Sequence, residues 1–177
     1  LPVVAKQGRF GAYVSLGRFP QFPKASSREG KLFRLPHHLK LTKTAIAYLK
    51  LAISVENDDA VLRVINSPKR GIGKSSLEKV KAFAESKGSS LFGALEQVEK
   101  LEIKGTALKG IKEFTAFCRS IPTLDSPTPA DLLNQIFEIS GYKKEILNSK
   151  SSESQMKTFE ELSEVLKEFE TTEEVIA

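Results

Sequence analysis

From Leu41 to Phe169 the apolar residues recur every three or four positions, and this spacing constrains the chain more than any other feature. It places them on single faces of helices. Ile46, Leu49 and Ile53 stand at i, i+3 and i+7 and predict an apolar face on a first helix. Asp58 to Ile65 predicts a second, with Val61, Leu62, Val64 and Ile65, ended by Ser67-Pro68. A third is expected to start at Ser75, where Ser75-x-x-Glu78 has the form of a capping box, with Leu77, Val80 and Ala84 as its face. Ser90 to Val98 reads as a short helix, and 107–121 carries a stripe of Leu108, Ile111, Phe114, Cys118 and Ile121. Thr128 then caps a helix with Pro129 at its first position, and Leu132, Leu133, Ile136 and Phe137 point inward. A last, acidic helix shows Phe159, Leu162, Leu166 and Phe169. The fold class is mainly α: six or seven short helices behind a small β or irregular N-terminal segment.

That front differs in character. Pro2 to Ala5 and Ala12 to Leu16 are β-prone, with a turn between Gly8 and Gly11. Pro20 to Pro36 has three prolines and no helical period, so it reads as a loop or linker. The division is a basic segment and linker over 1–40 and a helical subdomain over 41–177. Residues 1–50 carry ten Lys and Arg against Glu29 alone, whereas 151–177 carry two Lys against eight Glu, within a net charge of +5. A basic front suits a polyanion or a solvated tail.

Several classes of protein drop out. No uncharged apolar run approaches the roughly 18 residues of a membrane span, and no apolar core of a signal peptide follows the start. A single cysteine excludes a disulfide scaffold. Cys118, flanked by Phe114 and Phe117, reads as a buried, inert thiol. His37 and His38 are neighbours, which in extended chain point opposite ways, so no metal site is expected. The chain begins at Leu1 and its sole Met is Met156, which reads as a piece or processed product of a longer protein.

The connection between the second and third helices carries the chemistry. Gly73-Lys74-Ser75 looks like the end of a phosphate-binding P-loop, but that motif needs Gly five residues before Gly73. Pro68 stands there, without an N–H. The better reading is a helix–hairpin–helix. Gly71 and Gly73 allow a tight turn and close approach of a ligand. The N–H groups of Gly71, Ile72, Gly73, Lys74 and Ser75 then face a phosphate, surrounded by Lys69, Arg70 and Lys74. Gly73 is expected at positive φ, where Val would be poorly accommodated. The alternative is a plain, basic inter-helix turn.

Thr44 to Ala52, Asn57-Asp58-Asp59-Ala60, Arg63-Val64-Ile65-Asn66 and Pro68-Lys69-Arg70-Gly71-Ile72-Gly73 together resemble the accessory 2B subdomain of UvrD/Rep/PcrA-type superfamily 1 DNA helicases. The resemblance runs over roughly residues 41–170. It implies that Lys69, Arg70, Gly71, Ile72, Gly73 and Lys74 grip duplex DNA ahead of the fork. It also implies that ATP and Mg serve a motor in other subdomains, since no motor motif is matched here; this stretch has no cofactor of its own and should not hydrolyse ATP.

The front follows another pattern. Pro2-Val3-Val4-Ala5-Lys6, Gly8-Arg9-Phe10-Gly11 and Tyr13-Val14 resemble a C-terminal repeat of bacterial type IA DNA topoisomerases, over about residues 1–20. The resemblance implies single-strand contacts by Lys6, Arg9, Phe10 and Tyr13; the two rings either stack bases or form the core of a small β unit. The expected function is a DNA-binding accessory subdomain of an ATP-dependent helicase acting in repair or replication. Its expected partners are DNA, the remaining helicase subdomains and a repair or replication protein, inside the cell and away from membrane. The alternative is a regulatory protein-interaction module whose acidic last helix docks a basic surface.

Overall fold

The computed structural model describes residues 3–8, 11–16 and 40–177, the first two stretches by their backbone alone. Strands β1 (Val3–Gly8) and β2 (Gly11–Leu16) pair antiparallel, with Val3 opposite Leu16, Lys6 opposite Tyr13 and Gly8 opposite Gly11. Arg9, Phe10, the 20–36 linker and the His37-His38 pair lie outside the described residues.

Nine α-helices follow among the described residues: α1 (Lys40–Ile53), α2 (Asp58–Val64), α3 (Lys74–Lys87), α4 (Leu91–Glu96), α5 (Gly105–Ser120), α6 (Pro129–Ile139), α7 (Tyr142–Leu147), α8 (Ser152–Leu166) and α9 (Thr172–Ile176). That exceeds the expected six or seven, because α7 and α9 are single short turns with too few residues to show a period.

Helix α1 is the axis of the body and contacts α2, α6, α8 and α9. It is buried on most of its circumference, through Leu41, Thr44, Ala45, Tyr48, Leu49 and Leu51. The expected face of Ile46, Leu49 and Ile53 is only partly right. Leu49 is fully buried, Ile46 is half-buried and Ile53 is 40% exposed. The inward face is set by Tyr48 and its neighbours, so the isoleucines fall on the outer side.

Tyr48 meets Phe117 of α5 at 5.7 Å, Phe137 of α6 at 5.9 Å and Tyr142 of α7 at 6.2 Å between ring centroids. Phe137 stacks on Phe159 of α8 at 4.8 Å. Edge-on and offset pairs of this kind add roughly 0.5–1.5 kcal/mol each beyond their burial. The aromatic cluster therefore ties the acidic α8 to the centre, and Phe159, Leu162, Leu166 and Phe169 are all buried as expected.

Local signals explain most boundaries. The Thr128 hydroxyl accepts from Asp131 N–H at 3.2 Å, with Pro129 opening α6. Asn57 accepts from Ala60 N–H at 2.9 Å and starts α2. Ser90 starts α4, accepting from Gly93 N–H. The capping box at Ser75 does not form. Helix α3 begins one residue earlier with Gly73 as its N-cap, so Ser75 sits inside the first turn. Glu78 lies 3.9 Å from Lys74 Nζ instead, a solvent-exposed i, i+4 pair.

Candidate nucleic-acid interface

The connection from Ile65 to Gly73 leaves α2, passes a cis Ser67-Pro68 bond and enters α3. Three inward anchors hold it. The first is Arg70, whose Nη1 donates to the carbonyls of Val64 and Ile65 at 3.0 Å each and to that of Pro68 at 3.4 Å. Those carbonyls close the C-terminal end of α2, where the helix dipole favours a cation. The guanidinium also lies over the rings of Phe114 at 5.3 Å and Phe117 at 5.8 Å, both on α5. Carbonyl dipoles and ring faces together hold this half-buried charge, which has no ion pair among the described residues.

The second anchor is Asn66. Its amide Nδ2 donates to the Ile72 carbonyl at 2.6 Å, and its Oδ1 accepts from the N–H groups of Ile72 at 3.2 Å and Arg70 at 3.4 Å. One side chain thus replaces three backbone partners across the turn. The third anchor is Gly110 on α5. A Cβ added there would lie 2.2 Å from the Arg70 carbonyl oxygen, so the loop backbone rests directly on that helix. Gly71 packs nearby, since its own Cβ would lie 2.6 Å from Thr106 Cγ2.

The two glycines of the loop are not equivalent. Gly71 has φ +71°, the left-handed region that favours glycine. Gly73 has φ −77° and ψ 168°, with nothing within 4 Å of an added Cβ. The expectation of positive φ at Gly73 is therefore corrected: any residue adopts its backbone, and its exposure is what distinguishes it.

The residues named from sequence divide into two sets. Lys69, Gly71, Gly73, Lys74 and Ser75 are exposed. The side chain of Ile72 is buried at 3% exposure and that of Arg70 turns inward, so these two shape the loop rather than face solvent. The N-cap Gly73 brings no side chain to α3, and among the described residues no hydrogen bond occupies the N–H groups of Gly73, Lys74 and Ser75. The Lys69 N–H is taken by Glu145 Oε2 at 2.7 Å. Lys6 and Tyr13 are cross-strand neighbours in the β1–β2 register.

Asn66, Gly110 and Glu145 were not singled out by sequence as site residues. Asn66 does sit in the quoted motif, but Gly110 and Glu145 act across 40 and 76 positions. No local pattern marks such contacts.

Beneath the loop lies Cys118. Burial pushes its thiol up to about 12, with the Arg70 charge acting in the opposite direction. Tyr48, whose hydroxyl donates to the Ser67 carbonyl, is likewise raised, mainly by burial. Both groups are neutral near pH 7, and the Tyr48 hydroxyl ties the connection to α1. Among the described residues no cluster of three or more His, Cys, Asp or Glu side chains could hold a metal ion. No described helix is long and apolar enough to cross a membrane.

The chain carries a region similar to ATP-dependent DNA helicases of the UvrD/PcrA type. It is 30% identical over 138 residues to the ATP-dependent DNA helicase PcrA of Bacillus subtilis, a match covering 76% of this chain and 19% of that protein. PcrA of Staphylococcus epidermidis and of Staphylococcus aureus are each 29% identical over 137 residues, covering 74% of this chain and 18% of theirs. The chain thus spans less than a fifth of the length of these curated relatives. No family model matches it.

Proposed function

We propose that this chain is the 2B-type accessory subdomain of an ATP-dependent DNA helicase, and that the segment 69–75 grips the duplex backbone as a helix–hairpin–helix. The carrying observation is the start of α3. Its first N–H groups face solvent without a side-chain cap, between exposed Lys69 and Lys74. Free N–H groups at a helix start attract phosphate, and lysines neutralise it as point charges. Backbone contacts of this kind carry no base sequence. Arg70 and Asn66 contribute by holding the loop, so affinity rests on the N–H groups and the two lysines.

ATP and Mg belong in this proposal to the motor subdomains of the longer protein, which are the chain's first partners, with a repair or replication protein as a further one. It acts with DNA inside the cell. In this reading residues 1–40 are a basic, topoisomerase-repeat-like segment and linker. Within it Lys6, Arg9, Phe10 and Tyr13 make single-strand contacts in the manner of the topoisomerase repeat that the segment resembles.

Fluorescence anisotropy of a labelled duplex at several salt concentrations tests the reading. The chain should bind in the non-specific range of about 10⁻⁴–10⁻⁶ M, whatever the duplex sequence. Lys69→Ala with Lys74→Ala should weaken binding and lower the salt slope by up to about 2. Identical curves for the two proteins would reduce the connection to a structural turn.

A further inference from the structure

A second surface lies between α1 and α2. It is a groove of about 390 Å³. Its floor is aliphatic, from Ile46, Ala47 and Ala60. Its rim is cationic, from Lys43 and Lys50 on α1 and Arg63 on α2. Lys43, Ile46, Ala47 and Lys50 stand at i, i+3, i+4 and i+7, so one face of α1 presents them together. Ile53, 40% exposed, continues the row one turn on.

Two observations bear on what the groove can hold. None of the three cations has an ion-pair partner among the described residues, although Asp59 shares the groove. Some exposed cations elsewhere pair with acids, as Lys112 does with Glu99 and Arg119 with Glu96, and others, such as Lys81 and Lys104, have no ion pair among the described residues either, so it is the gathering of three cations around one aliphatic floor that matters here. Moreover, Thr42 lines the groove at 1% exposure, and its buried hydroxyl has no hydrogen-bond partner. An aliphatic floor gains little from a phosphate chain, whose surface is polar and charged. It does gain from a branched side chain, at about 25 cal/mol for each Å² removed from water.

We infer that the α1–α2 groove is a docking site for an acidic amphipathic peptide of a partner protein, with an aliphatic side chain seated on Ile46 and carboxylates paired with Lys43, Lys50 and Arg63. The charge complementarity sets the partner's sign, and an aliphatic floor between cationic rims suits an amphipathic helix that lays its apolar face into a groove. This surface is separate in sequence from the segment 69–75 and does not depend on its binding DNA.

The test uses the whole chain and a fluorescein-labelled peptide of about 12 residues, with leucines at i, i+4 and i+7 and Asp or Glu between them. The chain should bind this probe and release it as salt rises. Lys43→Glu with Lys50→Glu should weaken binding by about tenfold or more. A probe with its acids changed to Lys should recover affinity for that double variant while failing on the wild type. Ile46→Ser should weaken the original probe at unchanged salt dependence. Lys69→Ala with Lys74→Ala should leave probe affinity as it was. Circular dichroism of each variant checks folding, and the charge-swapped probe keeps the test decisive if one variant is unstable. Equal affinity of wild type and groove variants would overturn the inference. So would a groove that ignores the peptide but whose double variant loses duplex DNA, which would make it a backbone contact.

Discussion

At the start of α4, the Ser90 hydroxyl accepts from Gly93 N–H at 3.1 Å and Asp58 Oδ1 accepts from Leu91 N–H at 2.8 Å. At the start of α3, Gly73 offers no side chain at all. The first arrangement spends two oxygens on the free donors of the helix and ties α4 to the first turn of α2. The second leaves its donors to solvent. Side-chain caps are absent at α5, α7 and α8 too, so an uncapped start decides nothing by itself. What separates α3 is the chain leading into it. Arg70, Asn66 and Gly110 fix that connection from beneath, and Lys69 and Lys74 flank it from above. Rigid support under open donors is the condition for a preorganised anion site, and substitutions at Gly110, Arg70, Cys118 and Gly73 can break or sharpen the contrast.

The largest effect should come from Gly110→Val. The added Cβ would meet the Arg70 carbonyl at 2.2 Å, and a backbone atom yields less readily than a side-chain tip. Overpacking of this kind costs about 1–3 kcal/mol or more. Urea denaturation should show the loss, with duplex affinity falling as the loop lifts from α5. Gly93→Ala on α4 is the control. Its nearest contact would be Ser90 Oγ at 3.4 Å, and it should change stability little.

Arg70→Met should come next. It keeps much of the aliphatic bulk and removes the bonds to Val64, Ile65 and Pro68 carbonyls. Hydrogen bonds from a charged donor contribute about 1.5–3 kcal/mol. Arg70→Lys should recover only part of this, because an ammonium lacks the planar face that lies over Phe114 and Phe117. Stability read by urea should fall in both, and the salt slope of duplex binding should change less than in the Lys69/Lys74 variant. A large drop in slope would return Arg70 to direct phosphate contact.

These two substitutions show what the sequence made legible and what it did not. The helices were readable wherever burial is one-sided, as along Ile111, Phe114 and Cys118, because period alone then reports the core face. On α1 the apolar period misleads. A helix buried nearly all round has no single apolar stripe, and Ile46 and Ile53 mimicked one. The basic loop was legible as a motif, yet the direction of Arg70 was not, since its aromatic partners lie more than forty residues away. Gly110 read as a weak residue within a helix, and only the approach of another backbone gives it meaning. At Ser75 the capping-box pattern was present but Gly73 held the cap position.

A third, pH-dependent effect probes the layer under the loop. The Cys118 thiol is raised from 9.0 to about 12 in the folded chain, so above pH 9 the unfolded chain loses a proton that the native one keeps. Stability should therefore be full below pH 9 and decline as pH rises toward 12. Tyr48 and Tyr142, both raised mainly by burial, add the same sign above pH 10. Urea midpoints between pH 8 and pH 11 should fall steadily, and Cys118→Ala should flatten the first part of the decline.

The smallest effect on stability is the sharpest on the contrast itself. Gly73→Ser places a hydroxyl where Ser90 stands on α4. The backbone at Gly73 already has the extended φ and ψ of an N-cap, and nothing lies within 4 Å of the new Cβ, so the side chain enters without strain. Ser in place of Gly at a cap stabilises by only a few tenths of a kcal/mol. The same hydroxyl, however, accepts from a first-turn N–H and removes a donor from the phosphate. Thermal stability should therefore rise slightly while duplex affinity falls at every salt concentration. The salt slope should hold, since no lysine is lost. Gly73→Asp should lower affinity further, because its carboxylate fills the anion position with a charge of the wrong sign for DNA. Gly73→Ala separates space from chemistry: with no oxygen to compete, it should bind duplex nearly as well as the parent chain. If Ala and Ser weaken binding equally, the donors of α3 are not what the duplex meets, and the affinity belongs to the lysines alone.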